Sequence, residues 1–394
     1  MNLSEQAETV SAPRFSTPKV IVFSLLPALV LLAGLEVAAR VYEQYVPPRV
    51  VDYGLGFLEE SRVFVPDPND PSFRITDPRK QDYFVTQRFA AQKAPGTLRI
   101  VFLGESSVNF LNHLLAPWAE RLTHALQPVV QRVEFINCGG KSYGSHRLML
   151  VAREMLDYAP DVLLIYMGHN EFEEVEQLKL ADLKTARLQA WLAHSALFRF
   201  MRDRYAEKYI ADLQAAAERR KQAGRLPDQH RAWMYDWREE DVAQRMKTFQ
   251  ENMEYILSLY RSAGIPVLLG TVPSNLMKPH LTGAYGERYE REVLPLFREG
   301  RYEEGYAKAQ EILRNAPRHQ ASAAENEILR GLAQKFDVPL VDVEAAVRAA
   351  EPHGIPGERL FGDHCHLNAE GNAVLVREYE TALLSLLKSQ LGIN

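Results

Sequence analysis

Five short apolar runs, each ending in small or polar residues, stand out along the chain: residues 99–103 (RIVFL), 133–137 (VEFIN), 162–166 (VLLIY), 266–270 (PVLLG) and 339–341 (PLV). Between them the apolar positions recur at helical spacing. Continuous rather than alternating apolar runs are what strands need when both faces of a sheet are covered, and helices between them supply the crossovers. The pattern predicts an α/β fold over residues 96–394: a doubly wound parallel sheet of about five strands.

Two stretches exceed that plan and are read as helical insertions. Residues 173–264 are mostly helical in pattern, interrupted near Gly224–Asp228, and carry Trp191, Trp233 and Trp237; their last helix, about residues 239–262, returns the chain to the fourth strand. Residues 284–336 contain REGRYEEGYAKAQEILRNAP followed by another helix, which is similar to one tetratricopeptide-type hairpin or equally to ordinary packing helices. Residues 41–95 are rich in Pro, Asp and aromatics without lasting periodicity, and are expected to be an extended lead-in laid over the main domain.

The remaining pattern lies near the amino terminus. Residues 20–39 (VIVFSLLPALVLLAGLEVAA) hold a single charge, Glu36, close to Arg40. Twenty helical residues reach roughly 30 Å, the thickness of a bilayer's hydrocarbon layer, and Pro27 is tolerable there. The segment is expected to be a transmembrane signal anchor over residues 20–40. Cleavage of a signal peptide after Ala39 is the alternative. Arg14 and Lys19 before the span barely outvote Arg40 and Arg49 after it, which leaves a cytoplasmic domain as a further alternative. The expected topology keeps residues 1–19 cytoplasmic and puts everything after the span on the extracytoplasmic, periplasmic side.

Composition narrows the classes. The 394 residues carry 46 basic and 51 acidic side chains, a net charge of -5, which argues against a nucleic-acid partner recruited by bulk charge. A mean hydropathy of -0.25 excludes a multi-span membrane protein. Two cysteines, Cys138 and Cys365, make neither a disulfide framework nor a four-thiolate zinc site. They are read as small buried fillers, with a single disulfide as the alternative. Ligands at consecutive positions Asp363, His364, Cys365 and His366 do not converge easily on one tetrahedron, so no metal and no organic cofactor is expected.

In an open parallel sheet, sites form beyond the carboxyl ends of the strands. Gly104-Glu105-Ser106-Ser107 follows the first strand, Asn137-Cys138-Gly139-Gly140-Lys141-Ser142 closes the second, and Gly168-His169-Asn170-Glu171 follows the third. Asp363-His364-Cys365-His366 lies some twenty residues past the fifth. In this order the four blocks resemble the SGNH (GDSL-type) hydrolase superfamily over about residues 99–386. The membrane segment and lone hairpin resemble that superfamily's membrane-tethered bacterial subset. Glu105 stands where the pattern has Asp, and Ser142 stands where it has a loop glycine, Gly140 being the nearest.

The residues support the same chemistry on their own terms. A serine hydroxyl needs a base to become a nucleophile. Ser106 on a strand-to-helix turn is the nucleophile expected, His366 its base, and Asp363 the carboxylate that orients the imidazole. The N–H groups of Ser106 and of Gly140 or Ser142, with the Asn170 amide, are the expected oxyanion hole. His169 and His364 are expected to support the site or lie at the surface. The bland readings are helix caps for Ser106 and for Asp363 with His366, and a turn residue for Asn170. The function expected is an extracytoplasmic esterase acting through an acyl-Ser106 intermediate on an ester-bearing substrate such as an acylated carbohydrate. The alternatives are an O-acyltransferase acting on a cell-envelope or exported polysaccharide, and an inactive module that recruits a protein partner through the helical insertions.

Overall fold

The computed structural model describes residues 17–46, 62–173, 191–192, 194–205, 208, 239–281 and 283–393. The interruption expected near Gly224, and Trp233 and Trp237, lie outside them. In chain order, helix α1 (Thr17–Tyr45) precedes three short strands: β1 (Phe64–Asp67), β2 (Asp70–Thr76) and β3 (Arg88–Ala90). The main sheet follows, made of β4 (Thr97–Gly104), β5 (Arg132–Gly139), β6 (Val162–Tyr166), β7 (Val267–Gly270) and β8 (Leu340–Val341). All five apolar runs are strands. They are parallel and ordered β5-β4-β6-β7-β8, the flavodoxin-like arrangement, whose direction of winding reverses between β4 and β6.

Both residue parities of the central strands are buried. Ile100, Val101, Phe102 and Leu103 are inaccessible, as are Val162 to Ile165. Helices cover the two faces. One group is α3 (Asn112–Leu126), which follows the short α2 (Ser106–Phe110), together with α10 (Val343–Ala350) and α11 (Ala369–Leu391). The other is α4 (Ser145–Met155), α5 (Glu239–Ser262) and α9 (Ala323–Phe336). The expected return helix is α5. Across β4, Gly104 pairs with Gly139 on one side and Tyr166 on the other. The loops leaving these three strands therefore open side by side at the switch point.

The lead-in departs from the expectation of an extended segment. Its first residues continue α1 as far as Tyr45, and residues 64–90 fold as an antiparallel sheet ordered β1-β2-β3. Strands of three to seven residues with Pro66 and Pro71 in them are too short to show a period. Tertiary partners hold them instead. Glu154 accepts the N–H groups of Val63 and Phe64 at 2.7 and 2.9 Å, and burial pushes its carboxyl pKa upward. Gln87 pairs with both backbone groups of Asn137, covering the outer edge of β5.

The second insertion is built of four helices: α6 (Gly283–Glu292), α7 (Leu294–Arg298), α8 (Tyr302–Asn315) and α9. Tyr289, Val293, Phe297, Ile312 and Leu313 give it a small core of its own. Its connecting loop, residues 316–322, is buried along its whole length. That loop leads to the site.

Candidate active site

Strand β4 runs straight into α2, and two glycines make the junction possible. A Cβ on Gly104 would stand 2.2 Å from the Tyr166 carbonyl, and one on Gly139 would stand 2.1 Å from the Asn109 nitrogen. Ser106 opens α2, and its N–H has no partner among the described residues. Its Oγ lies 2.7 Å from His366 Nε2. On the far side of the ring, His366 Nδ1 lies 2.6 Å from Asp363 Oδ2. The other carboxylate oxygen, Oδ1, accepts the N–H groups of Cys365 and His366 at 2.8 and 2.7 Å. Burial pushes the Asp363 pKa up, but the bonds donated by the His366 ring and the two N–H groups outweigh it and hold the carboxyl well below its usual range. An ionised Asp363 keeps the proton on Nδ1 and leaves Nε2 as the acceptor for the serine hydroxyl. Phe110 lies against the ring, with centroids 4.9 Å apart. The buried Ser107 hydroxyl has no hydrogen-bond partner among the described residues.

The opposite side of Ser106 is buried and braced. Glu105, fully buried, accepts the N–H of His169 at 2.7 Å and of Asn170 at 2.9 Å. Burial and the neighbouring Glu171 carboxylate push its own pKa up against those donors. Asn170 donates through Nδ2 to the Tyr143 carbonyl at 3.2 Å, which leaves the second hydrogen of that amide group. Glu171 takes the N–H and hydroxyl of Ser145 at 2.8 and 2.9 Å and pairs with the buried Arg245. The two loop donors expected beside Ser106 differ. The Gly140 N–H donates to the Gly104 carbonyl at 2.9 Å, extending the β4–β5 ladder by one bond. Ser142 sits in the left-handed region at φ 59°, its carbonyl is held by the buried Arg147, and its N–H has no partner among the described residues.

The strand passed over in the sequence supplies a third support. Past the end of β7, Asn275 donates its N–H to the His364 carbonyl at 3.0 Å and its Nδ2 to the Asp363 carbonyl at 2.9 Å. It thereby fixes the loop that carries His366. The signal was available, because Thr271-Val272-Pro273-Ser274-Asn275 occupies the same strand-end position as the other blocks. The insertion loop could not be placed from sequence. Its Ala321 N–H donates to His169 Nδ1 at 3.1 Å, its Gln320 accepts the His280 N–H at 2.6 Å, and His319 stacks on His280, which in turn contacts His364. Burial, then the nearby His366 and His364 rings, pushes the His169 pKa down; with Nδ1 accepting, its proton sits on Nε2.

Cys138 and Cys365 are buried free thiols, and Cys138 lies against the Met155 sulfur at 3.2 Å. Asp363, His364 and Cys365 offer ligand atoms within 4.8 Å of one another. Both Asp363 oxygens already serve His366 and the Cys365 amide, so an ion there would compete with the Ser106–His366–Asp363 line.

No protein-family model matches the chain, and no curated protein matches it. Solved structures similar to it include a GDSL-like lipase from Bacteroides thetaiotaomicron, at 13% identity and a TM-score of 0.35, covering 73% of this chain and 88% of that one. An acetylxylan esterase from Geobacillus stearothermophilus is similar at 11% identity and a TM-score of 0.38, covering 73% and 94%. AlinE4, an esterase of the SGNH-hydrolase family, is similar at 14% and 0.30, covering 75% and 99%.

Proposed function

We propose that this chain is a membrane-anchored, extracytoplasmic serine esterase of the SGNH type that works through an acyl-Ser106 intermediate. The observation that carries the reading is the unbroken hydrogen-bonded line Ser106 Oγ–His366 Nε2 (2.7 Å) and His366 Nδ1–Asp363 Oδ2 (2.6 Å) at the switch point of the sheet. As Oγ attacks the ester carbonyl carbon, Nε2 takes the hydroxyl proton, and Asp363 stabilises the imidazolium. Negative charge gathers on the carbonyl oxygen. The Ser106 N–H, the Ser142 N–H and the second Asn170 amide hydrogen are the donors assigned to it, each worth about 3–4 kcal/mol in the transition state. Gly140 is not among them, since its N–H is already used. The imidazolium then protonates the departing alkoxide, the tetrahedral centre collapses to the acyl-enzyme, and a water activated by His366 releases the acid.

The anchor is α1. Within Leu25–Tyr45, the most apolar 18 residues have a mean hydropathy of 1.7 and are almost wholly exposed, as a segment in contact with lipid would be. A p-nitrophenyl ester chain-length series on the full chain in detergent, with a fluorophosphonate probe for Ser106, tests the chemistry. Turnover and labelling that both vanish in Ser106→Ala are expected. Labelling elsewhere, or turnover that survives, overturns the assignment. Release of product that speeds up only when an oligosaccharide acceptor is added would move the chain to the acyltransferases.

A further inference from the structure

Glu36 is the one charge in the apolar run of residues 20–39, and a carboxylate in a membrane segment needs a partner. It has several, all but one from the first insertion. It accepts the Ser195 hydroxyl at 2.6 Å and the N–H groups of Ala196 and Leu197 at 3.0 Å each, while Arg40 pairs with it at 2.8 Å. Glu36 therefore caps, from 160 residues away, the amino terminus of the helix over residues 196–205. The contact continues along α1. Arg199 Nε donates to Glu43 at 2.8 Å, Arg204 to the Tyr42 hydroxyl at 2.9 Å, and Phe200 meets the edge of Tyr42 at 5.4 Å.

The direction of travel matters. Residues 195–197 sit at the level of Glu36, and residues 199–204 at the level of Tyr42 and Glu43. The turn before the helix thus lies deepest along α1. Described backbone groups of the turn are bonded: the N–H groups of His194 and Ser195 donate to the carbonyls of Trp191 and Leu192, and the His194 carbonyl accepts from Arg40. Backbone whose polar groups are already bonded can enter an apolar layer. The large apolar side chains here face outward. Trp191 is 69% exposed, Met201 54% and Tyr205 57%, and Val37 and Val41 of α1 are exposed as well.

We infer that residues 191–192 and 194–205 belong to a second membrane-contacting element, an interfacial turn and helix that enters the bilayer surface alongside α1, with Trp191 in the lipid and Glu36 as its cap. Side chains of this kind, an indole and a phenol beside a hydrocarbon segment, suit the headgroup level of a bilayer. The inference rests on the reading of α1 as a membrane anchor. It would hold the first insertion, and through α5 the catalytic sheet, close to the lipid surface.

The test uses the full chain in phosphatidylcholine vesicles with brominated acyl chains. Bromolipid should quench tryptophan emission in the unaltered chain and quench it less in Trp191→Phe. A Tyr42→Cys/Phe200→Cys pair, placed where the two rings now touch, should be bridged by a short bifunctional maleimide, with Cys138 and Cys365 buried out of its reach. Adding Glu36→Gln should weaken both the cross-link and the quenching while the chain still pellets through a carbonate wash. Pelleting with equal quenching in the unaltered chain and Trp191→Phe overturns this inference alone. Release by carbonate overturns the anchor as well.

Discussion

The two sides of Ser106 are built differently. The His366–Asp363 side is a short half-exposed loop, braced by Asn275, in which one carboxylate alone orients the imidazole and residues three apart in sequence meet directly. The Asn170–Ser142 side is buried and assembled from three strand ends. Glu105 aligns Asn170, Arg147 holds the carbonyl of Ser142, and Glu171 with Arg245 pins the start of α4 beneath them. In the proposed reaction the side that moves the proton can thus be broken at one residue, whereas the side that stabilises charge is over-determined. Preorganised donors held by burial need not reorient as charge develops, which is where such sites gain most of their effect.

Substitutions can break or sharpen that contrast. Ser106→Ala should lower ester turnover by at least about four orders of magnitude, with circular dichroism unchanged. An unaltered kcat would sink the nucleophile.

Asp363→Asn should lower kcat by about four orders of magnitude, the size of that loss in serine proteases, with little change in KM for a small ester. A loss confined to KM would make Asp363 a binding residue. The same variant has a pH signature. A carboxyl depressed on folding contributes stability that is fully present above the unfolded value of about 3.9 and is lost as pH falls through the lower folded value. The stability gap between the unaltered chain and Asp363→Asn in urea melts should be flat from neutral pH to about 4 and close below it. A gap that closes between pH 5 and 7 would contradict this.

On the other side, Asn170→Ala should cost about 10²–10³ in kcat, less than Asp363→Asn because the N–H groups of Ser106 and Ser142 remain. Equal losses would mean that the two sides are not built differently. Glu105→Gln sets an amide N–H₂ against one of the two N–H groups that Glu105 accepts. Leaving a buried donor unpaired costs about 1–3 kcal/mol, so kcat should fall about tenfold or somewhat more. Full activity would show that Asn170 is placed without Glu105. Ser107→Ala should leave kcat within about twofold, since a 2.7 Å contact to His366 is made by Ser106 alone; a large loss would exchange the two serines.

How much of this could be read from the chain alone follows from the range of each interaction. The five strands were legible because burial on both faces writes itself as unbroken apolar runs, and the order of polar blocks after them placed Ser106, Asn170, Asp363 and His366 at one edge of the sheet. The antiparallel strands of residues 64–90 were not legible. Three to seven residues are too few to show a period, and their partners Glu154 and Asn137 lie far along the chain. The proposed oxyanion side was read only in outline. Whether Gly140 or Ser142 has its N–H available depends on where the β4–β5 ladder stops, and a ladder's end is set by pairing between strands. The same holds for Glu36: its place in an apolar run was visible, but the helix it caps comes from 160 residues away, and only the folded chain brings the two together.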